Sequence, residues 1–213
     1  MRRRRNKEQT IEMLIGAVGE LLLEKGHQAI GVNKIAAAAG VSKPMIYTYF
    51  GGLNGLLLAY MERKGFGLQQ FEAMDLSGNL ADGALKAAII NHLQGLFHHA
   101  RHDPEVQKLI LWQVAGYNPV LRKAAVRREA AIARLFEIAE HHFKDSGAGL
   151  RMVYALLAGG LYYHILLNAA GNGTLSGIDL SNEAGCKLLN NTIVWLIELA
   201  WRDGATISNS SPG

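Results

Sequence analysis

A single cysteine, Cys186, has nothing to pair with inside 213 residues, so no internal disulfide framework holds this fold. A lone thiol fits a reducing compartment and reads as a small buried apolar group. Prolines number only four and alternating β-branched runs are scarce, which removes the usual marks of a sandwich or barrel and leaves an all-α fold as the expectation. Charged residues are 19% against 49% hydrophobic, the wrong balance for a disordered polymer. The N-terminal arginines and the apolar run behind them have the outline of a secretion signal. Glu12, Glu20 and Glu24 interrupt that run, however, and no small-residue cleavage site follows, so the cytoplasm is the expected location. There is no phosphate loop and no nucleophile–base pairing. His98 and His102 stand four apart, but no acidic or cysteine partner lies at useful spacing, so no metal, cofactor or enzymatic activity is expected.

What is present is concentrated at the front. Residues 1 to 50 carry eight Lys/Arg against four Glu, whereas the rest carries fourteen of each sign. The whole net charge of +4 therefore sits on the first quarter, as expected of a segment that faces a polyanion. Behind the arginine arm, Ile11, Leu14, Ile15, Val18, Leu21 and Leu22 recur at helical spacing, and Gly26 ends that helix. A short second helix, Val32 to Ala39, turns Val32, Ile35 and Ala36 inward and Asn33 and Lys34 outward. Gly40 ends it, Val41 turns the corner, and Ser42 is expected to cap a third helix through its hydroxyl, with Pro44 in the first turn. Two short helices joined through a glycine make a helix-turn-helix.

The third helix has much to offer a nucleic acid and little to bury. Lys43 can reach guanine O6 or N7, Pro44 can pack on a thymine methyl, and Thr48 can serve either role. Tyr47 and Tyr49 offer hydroxyls to phosphates, the helix N-terminus adds free N–H groups, and Asn33 and Lys34 extend toward the same groove. Arg2, Arg3, Arg4 and Arg5 are expected to form a flexible arm that enters the neighbouring minor groove.

The stretch "LLLEKGHQAIGVNKIAAAAGVSKPMIYTYFGGLNGLL" resembles the N-terminal domain of TetR-family transcriptional regulators. The likeness covers roughly Thr10 to Tyr60 and rests on Gly26, Ile35-Ala36, Ala39-Gly40-Val41-Ser42 and Tyr47-x-Tyr49-Phe50 recurring as one unit. It implies an all-α homodimer of about nine helices: a three-helix DNA-binding head, a ligand-binding and dimerisation body, and a small-molecule effector. By position, Asn33, Lys43 and Pro44 match base-contacting sites, and Tyr47, Thr48 and Tyr49 match phosphate or groove-wall contacts. Three departures remove polar groups common in the family. Ile30-Gly31 stand where a Thr or Ser usually opens the second helix, Met45 replaces a Thr, and Leu53 replaces a lysine.

On this basis the head spans 1–52, the body 53–203, and 204–213 form a disordered tail. From Leu80 onward five helices are expected, separated by Asp103-Pro104, Asn118-Pro119, Ser146-Gly147 and the polar loop Gly171 to Asn182. The run Met152 to Ala170 is uncharged and about as long as a membrane span. His164, Asn168 and Gly159-Gly160 interrupt it, and no basic cluster flanks it. With Thr192 to Trp201 it reads instead as a dimer face, with Gly159, Gly160, Tyr163, Trp195 and Leu199 as interface candidates. Pocket candidates are Asn91, Gln94, Phe97, Trp112, Gln113, Tyr117 and Tyr154. The scarcity of charge along Leu85 to Leu96 and Val153 to Ala170 favours an apolar or neutral effector. The expected function is a regulator, a repressor by preference, that binds a pseudo-palindromic double-stranded operator. The competing readings are a helical interaction protein or an enzyme that keeps the head's shape without operator specificity.

Overall fold

The structure, a computed structural model, describes residues 2–66, 82–140, 143, 147–171 and 173–208. Among these lie nine α-helices: α1 (Arg2–Lys25), α2 (Val32–Ala38), α3 (Pro44–Phe50), α4 (Leu53–Arg63), α5 (Asp82–Arg101), α6 (Pro104–Ala115), α7 (Pro119–Glu140), α8 (Gly147–Ala169) and α9 (Glu183–Ser208). The five body helices fall where proline and glycine punctuation places them. Asn118 Oδ1 accepts the N–H groups of Val120 and Leu121 at 2.9 and 3.1 Å, and Pro119 takes the first helical position, where no N–H is needed. The Gly171–Asn182 loop holds a two-residue hairpin, β1 (Thr174–Leu175) with β2 (Ile178–Asp179), too short to announce itself by alternation.

The chain divides into two compact units, Met1–Gln69 with Pro104–Arg127, and Gln70–Asp103 with Arg128–Gly213. In the first, α1 packs against α2, α4 and α6, and α3 packs against α4. Its core is the stripe read from the sequence, Leu14, Val18 and Leu22 of α1, closed by Ile35, Ile46, Leu56 and Leu109. Glu105 at the start of α6 accepts the Tyr60 hydroxyl at 2.6 Å and pairs with Lys64 at 2.9 Å, fastening α6 to α4. This unit therefore differs from a head of 1–52. The faces of α1 and α4 turned away from α2 and α3 need α6 to cover them.

In the second unit α5, α8 and α9 pack on one another around Leu85, Ile89, Leu93, Leu161, Ile165, Ile193 and Ile197. Phe143 meets Trp201 edge to face at 4.9 Å. Cys186 is free and buried, with its thiol donating to the Leu180 carbonyl at 3.2 Å.

Three expectations change. Arg2–Arg5 continue α1 as helix rather than forming a separate arm, although four cations at a helix N-terminus oppose both the macrodipole and one another. Ser42 does not cap α3 through its hydroxyl. Lys43 occupies the cap position in helical conformation without a side-chain bond, and Ser42 contributes its carbonyl to the Met45 N–H at 3.0 Å. The backbone is already helical before Pro44, so the hydroxyl is not in position for the orphan N–H groups. Finally, α9 runs on through Ser208, so 204–208 are helix rather than tail. Leu80, Gly67 and 209–213 lie outside the described residues.

Candidate nucleic-acid interface and effector cavity

The helix-turn-helix is built by one tight turn. Gly40, at φ 64°, ends α2 with its N–H on the Ala37 carbonyl (3.2 Å), and Val41 N–H reaches back to Ala36 at 3.0 Å. These are the paired bonds of a Schellman ending, which a left-handed residue makes possible and glycine favours. A second close approach fixes α3 on α4. A Cβ on Gly55 would clash with the Phe50 carbonyl oxygen, so the two backbones meet where only glycine fits.

With α3 clamped, its surface is decided. Ile46 is its one buried residue, at the bottom of the unit's core. Ser42, Lys43, Pro44, Met45, Tyr47 and Thr48 are exposed, as are Asn33 and Lys34 on α2, so these eight share the open surface of the motif. Tyr47 is 52% exposed. Thr48 differs from expectation in detail: its hydroxyl donates to the Pro44 carbonyl at 3.0 Å, leaving an acceptor oxygen and a methyl for a partner. Tyr49 is half-buried, with Lys7 Nζ of α1 5.8 Å from its ring centre. Lys7 carries no motif of its own in the sequence. Its place one helical turn after Arg3 and Arg4 is the signal that it belongs to the same basic end of α1.

In the second unit a cavity of ≈370 Å3 lies among α5, α7 and α8. Within this unit α7 approaches its neighbours less closely than α5, α8 and α9 approach one another, and the cavity is the space that leaves. His92 and Leu96 come from α5; Arg128, Glu129, Ile132 and Phe136 from α7; Arg151, Tyr154, Gly159 and Tyr162 from α8. The His92 ring stacks on Tyr154 at 6.0 Å, Phe136 meets Tyr154 edge-on at 5.2 Å, and the Arg151 guanidinium stands 5.5 Å over Phe136. Burial pushes His92 down to about 4, helped by the positive charge of Arg128, and burial raises the hydroxyls of Tyr154 and Tyr162. At neutral pH the imidazole and both phenols are uncharged. Among the described residues, two guanidiniums then face one carboxylate, Glu129.

Of the seven pocket candidates, Tyr154 lines this cavity. Phe97 is buried beside His98, Gln94 is half-buried and Asn91 is exposed on the same helix. Trp112, Gln113 and Tyr117 belong to the first unit, where Trp112 is buried under the His27 ring (5.6 Å) and Tyr117 is exposed. The missed residues Arg128, Ile132 and Phe136 on α7, and Arg151, Ala158 and Tyr162 flanking Tyr154 on α8, repeat every three or four positions, the spacing of one helix face. His98 Nε2 lies 3.3 Å from Asn190 Nδ2, and no group of three or more potential metal ligands gathers among the described residues.

The dimer candidates Gly159, Gly160, Tyr163 and Trp195 are exposed, and Leu199 is half-buried. Met152, Leu156 and Leu188 are exposed on the same two helices. The segment Gly149–Ala169 is long and apolar enough to cross a membrane, yet only 22% of it is buried in its own chain.

Residues 14–60 match the family model of bacterial regulatory proteins of the tetR family, which runs from the first buried leucine of α1 into the third turn of α4. These residues form an N-terminal domain of the tetR type. Among TetR-type relatives, it is 29% identical over 136 residues to the HTH-type transcriptional activator FasR of Mycolicibacterium smegmatis. It is 26% identical over 139 residues to the nucleoid occlusion factor SlmA of Glaesserella parasuis. These matches span 63% and 65% of this chain but only 59% and 63% of those proteins. The fold of a TetR-family transcriptional regulator from Streptomyces coelicolor superposes with a TM-score of 0.59 over 92% of this chain and 90% of that one, at 19% identity. The all-α TetR fold with its N-terminal helix-turn-helix is therefore the fold of this chain.

Proposed function

We propose that this chain is a TetR-family transcriptional regulator that binds a pseudo-palindromic operator as a homodimer and answers to a small effector held in the second unit. The observation that carries the first part is α3: seven residues of which Ile46 alone is buried, presenting Pro44, Met45, Tyr47 and Thr48 outward beside Lys43, Asn33 and Lys34. A helix that contributes so little to its own core is kept for what it presents. In a major groove, Lys43 reads guanine, Pro44 and the Thr48 methyl pack on thymine, and Tyr47 reaches a phosphate. The helical Arg2–Arg5 segment suits the same partner, because phosphates relieve the repulsion that four cations create at the start of α1.

One such helix covers a few base pairs, and a two-fold partner places a second one about 34 Å away. The apolar face of α8 and α9 supplies the partner surface. Leu156 is 69% and Trp195 61% exposed in the single chain, and large apolar side chains gathered on two neighbouring helices suit cover by another molecule. A dimer seated on an operator excludes other proteins from that DNA, so repression is the expected outcome. Mobility shift of the chain's own promoter fragment, with excess random duplex present, tests this reading. Retardation that survives the competitor supports it; equal loss on both duplexes overturns it.

A further inference from the structure

The cavity among α5, α7 and α8 says more about its occupant than its size does. Its walls are apolar and aromatic along most of their length, through Leu96, Ile132, Phe136 and Tyr154. Its charges are uneven: among the described residues, Arg128 and Arg151 stand against the carboxylate of Glu129. Arg151 lies over the Phe136 ring, which steadies the guanidinium plane, and the edge of such a plane matches a planar anion. The volume of ≈370 Å3 is at the small end of the ~300–1,000 Å3 usual for small-molecule sites. The charge-poor windows of α5 and α8, Leu85 to Leu96 with Lys86 as its one charge and Val153 to Ala170 with none, favour a neutral ligand when taken alone. The cavity's charges come from α7 and from the first turns of α8, outside both windows.

We propose that the effector is a small monoanion, a carboxylate on a short apolar or aromatic body, whose head is met by Arg128 and Arg151. This rests on the effector half of the function proposed above. The apolar walls supply most of the burial, and the guanidiniums supply the discrimination. A charge-assisted, bidentate bond separates an acid from its amide by about tenfold to a hundredfold. Glu129 works against the same head.

The test is titration calorimetry on the full chain at pH 7.5 with 4-phenylbutanoate and 4-phenylbutanamide, which share a body and differ in head charge. The acid is expected to bind at least about tenfold tighter than the amide. Arg128→Gln and Arg151→Gln each bring the acid toward the amide's affinity while leaving the amide within about twofold, and Glu129→Gln tightens the acid. A structural role for these groups would not give changes of opposite sign on one ligand and none on the other. Equal affinities, no binding of either probe, or charge variants that leave the acid unmoved overturn the proposal. Circular dichroism establishes that each variant is folded, and if Arg151→Gln is not, the Arg128 and Glu129 pair decides. These titrations contain no DNA. Acid binding that leaves operator affinity unchanged sinks the regulatory reading alone, whereas operator binding with no preference for the acid sinks this one alone.

Discussion

His92 should make the protein acid-sensitive by an amount that can be read from its surroundings. The ring is 7% exposed and stacked on Tyr154; its burial, helped by the charge of Arg128, holds it near 4 where a free histidine titrates at 6.5. Above pH 6.5 the ring is neutral in both folded and unfolded chains and contributes no slope. Between 6.5 and about 4 the unfolded chain takes up a proton that the folded chain refuses, so stability falls as pH falls. At 1.36 kcal/mol per unit, the difference amounts to about 3 kcal/mol, complete near pH 4 and constant below it. The assay is urea unfolding of the protein and of His92→Phe at half-unit steps from pH 7.5 to 4, at one fixed protein concentration so that any association bears on both equally. The variant should lose less stability over that range, the gap between the two curves closing by about 3 kcal/mol as pH falls. Curves that stay parallel within about 0.5 kcal/mol would refute the assignment of a buried, neutral His92.

Four further outcomes follow from other parts of the structure. Replacing Arg2–Arg5 with glutamines should weaken DNA binding on every sequence and flatten the plot of log affinity against log salt, by about 0.9 for each phosphate no longer neutralised; an unchanged slope by fluorescence anisotropy removes these residues from the interface. Lys43→Ala should cost about 1–3 kcal/mol on the operator and almost nothing on random duplex, measured by competition binding, if the lysine reads a base rather than merely attracting phosphate. Gly55→Ala forces α3 and α4 apart at the Phe50 carbonyl and should destabilise the first unit by about 1–3 kcal/mol in chemical denaturation, with operator affinity falling alongside; a wild-type midpoint contradicts the close approach. Leu156→Arg should leave a folded monomer by light scattering, and a variant that stays dimeric moves the interface away from α8.

The parts of this molecule that could be read from its sequence are those where one residue type has one physical use. Gly40 and the buried Ile35 and Ile46 positions fix the helix-turn-helix because a left-handed turn and two apolar contacts are local demands. The five body helices follow from Asn118-Pro119 and similar breaks for the same reason. Arg2–Arg5 read as an arm because repulsion among like charges argues against helix, and nothing local reveals that a well-buried α1 carries the helix on through them. Ser42 read as a cap because its type favours that role, whereas its position is set by Lys43 entering the helix first. The cavity was least legible. It depends on how α7 lies against α5 and α8, a tertiary matter that no local pattern states, and Arg128 and Arg151 have the sequence surroundings of ordinary solvated charges.

Glu105 gives the first unit a property that matters to anyone cutting this protein apart. The carboxylate that holds Tyr60 and Lys64 arrives from a segment far along the chain from α4, and it lies so close to α1 that a Cβ on Gly19 would collide with it. The compact body that includes the helix-turn-helix is thus discontinuous along the chain. A chimaera that transplants only α1 to α4 onto a foreign sensor would strip away that strut and expose the apolar backs of α1 and α4. Splices that carry 104–127 along with the N-terminal segment keep the graft self-sufficient.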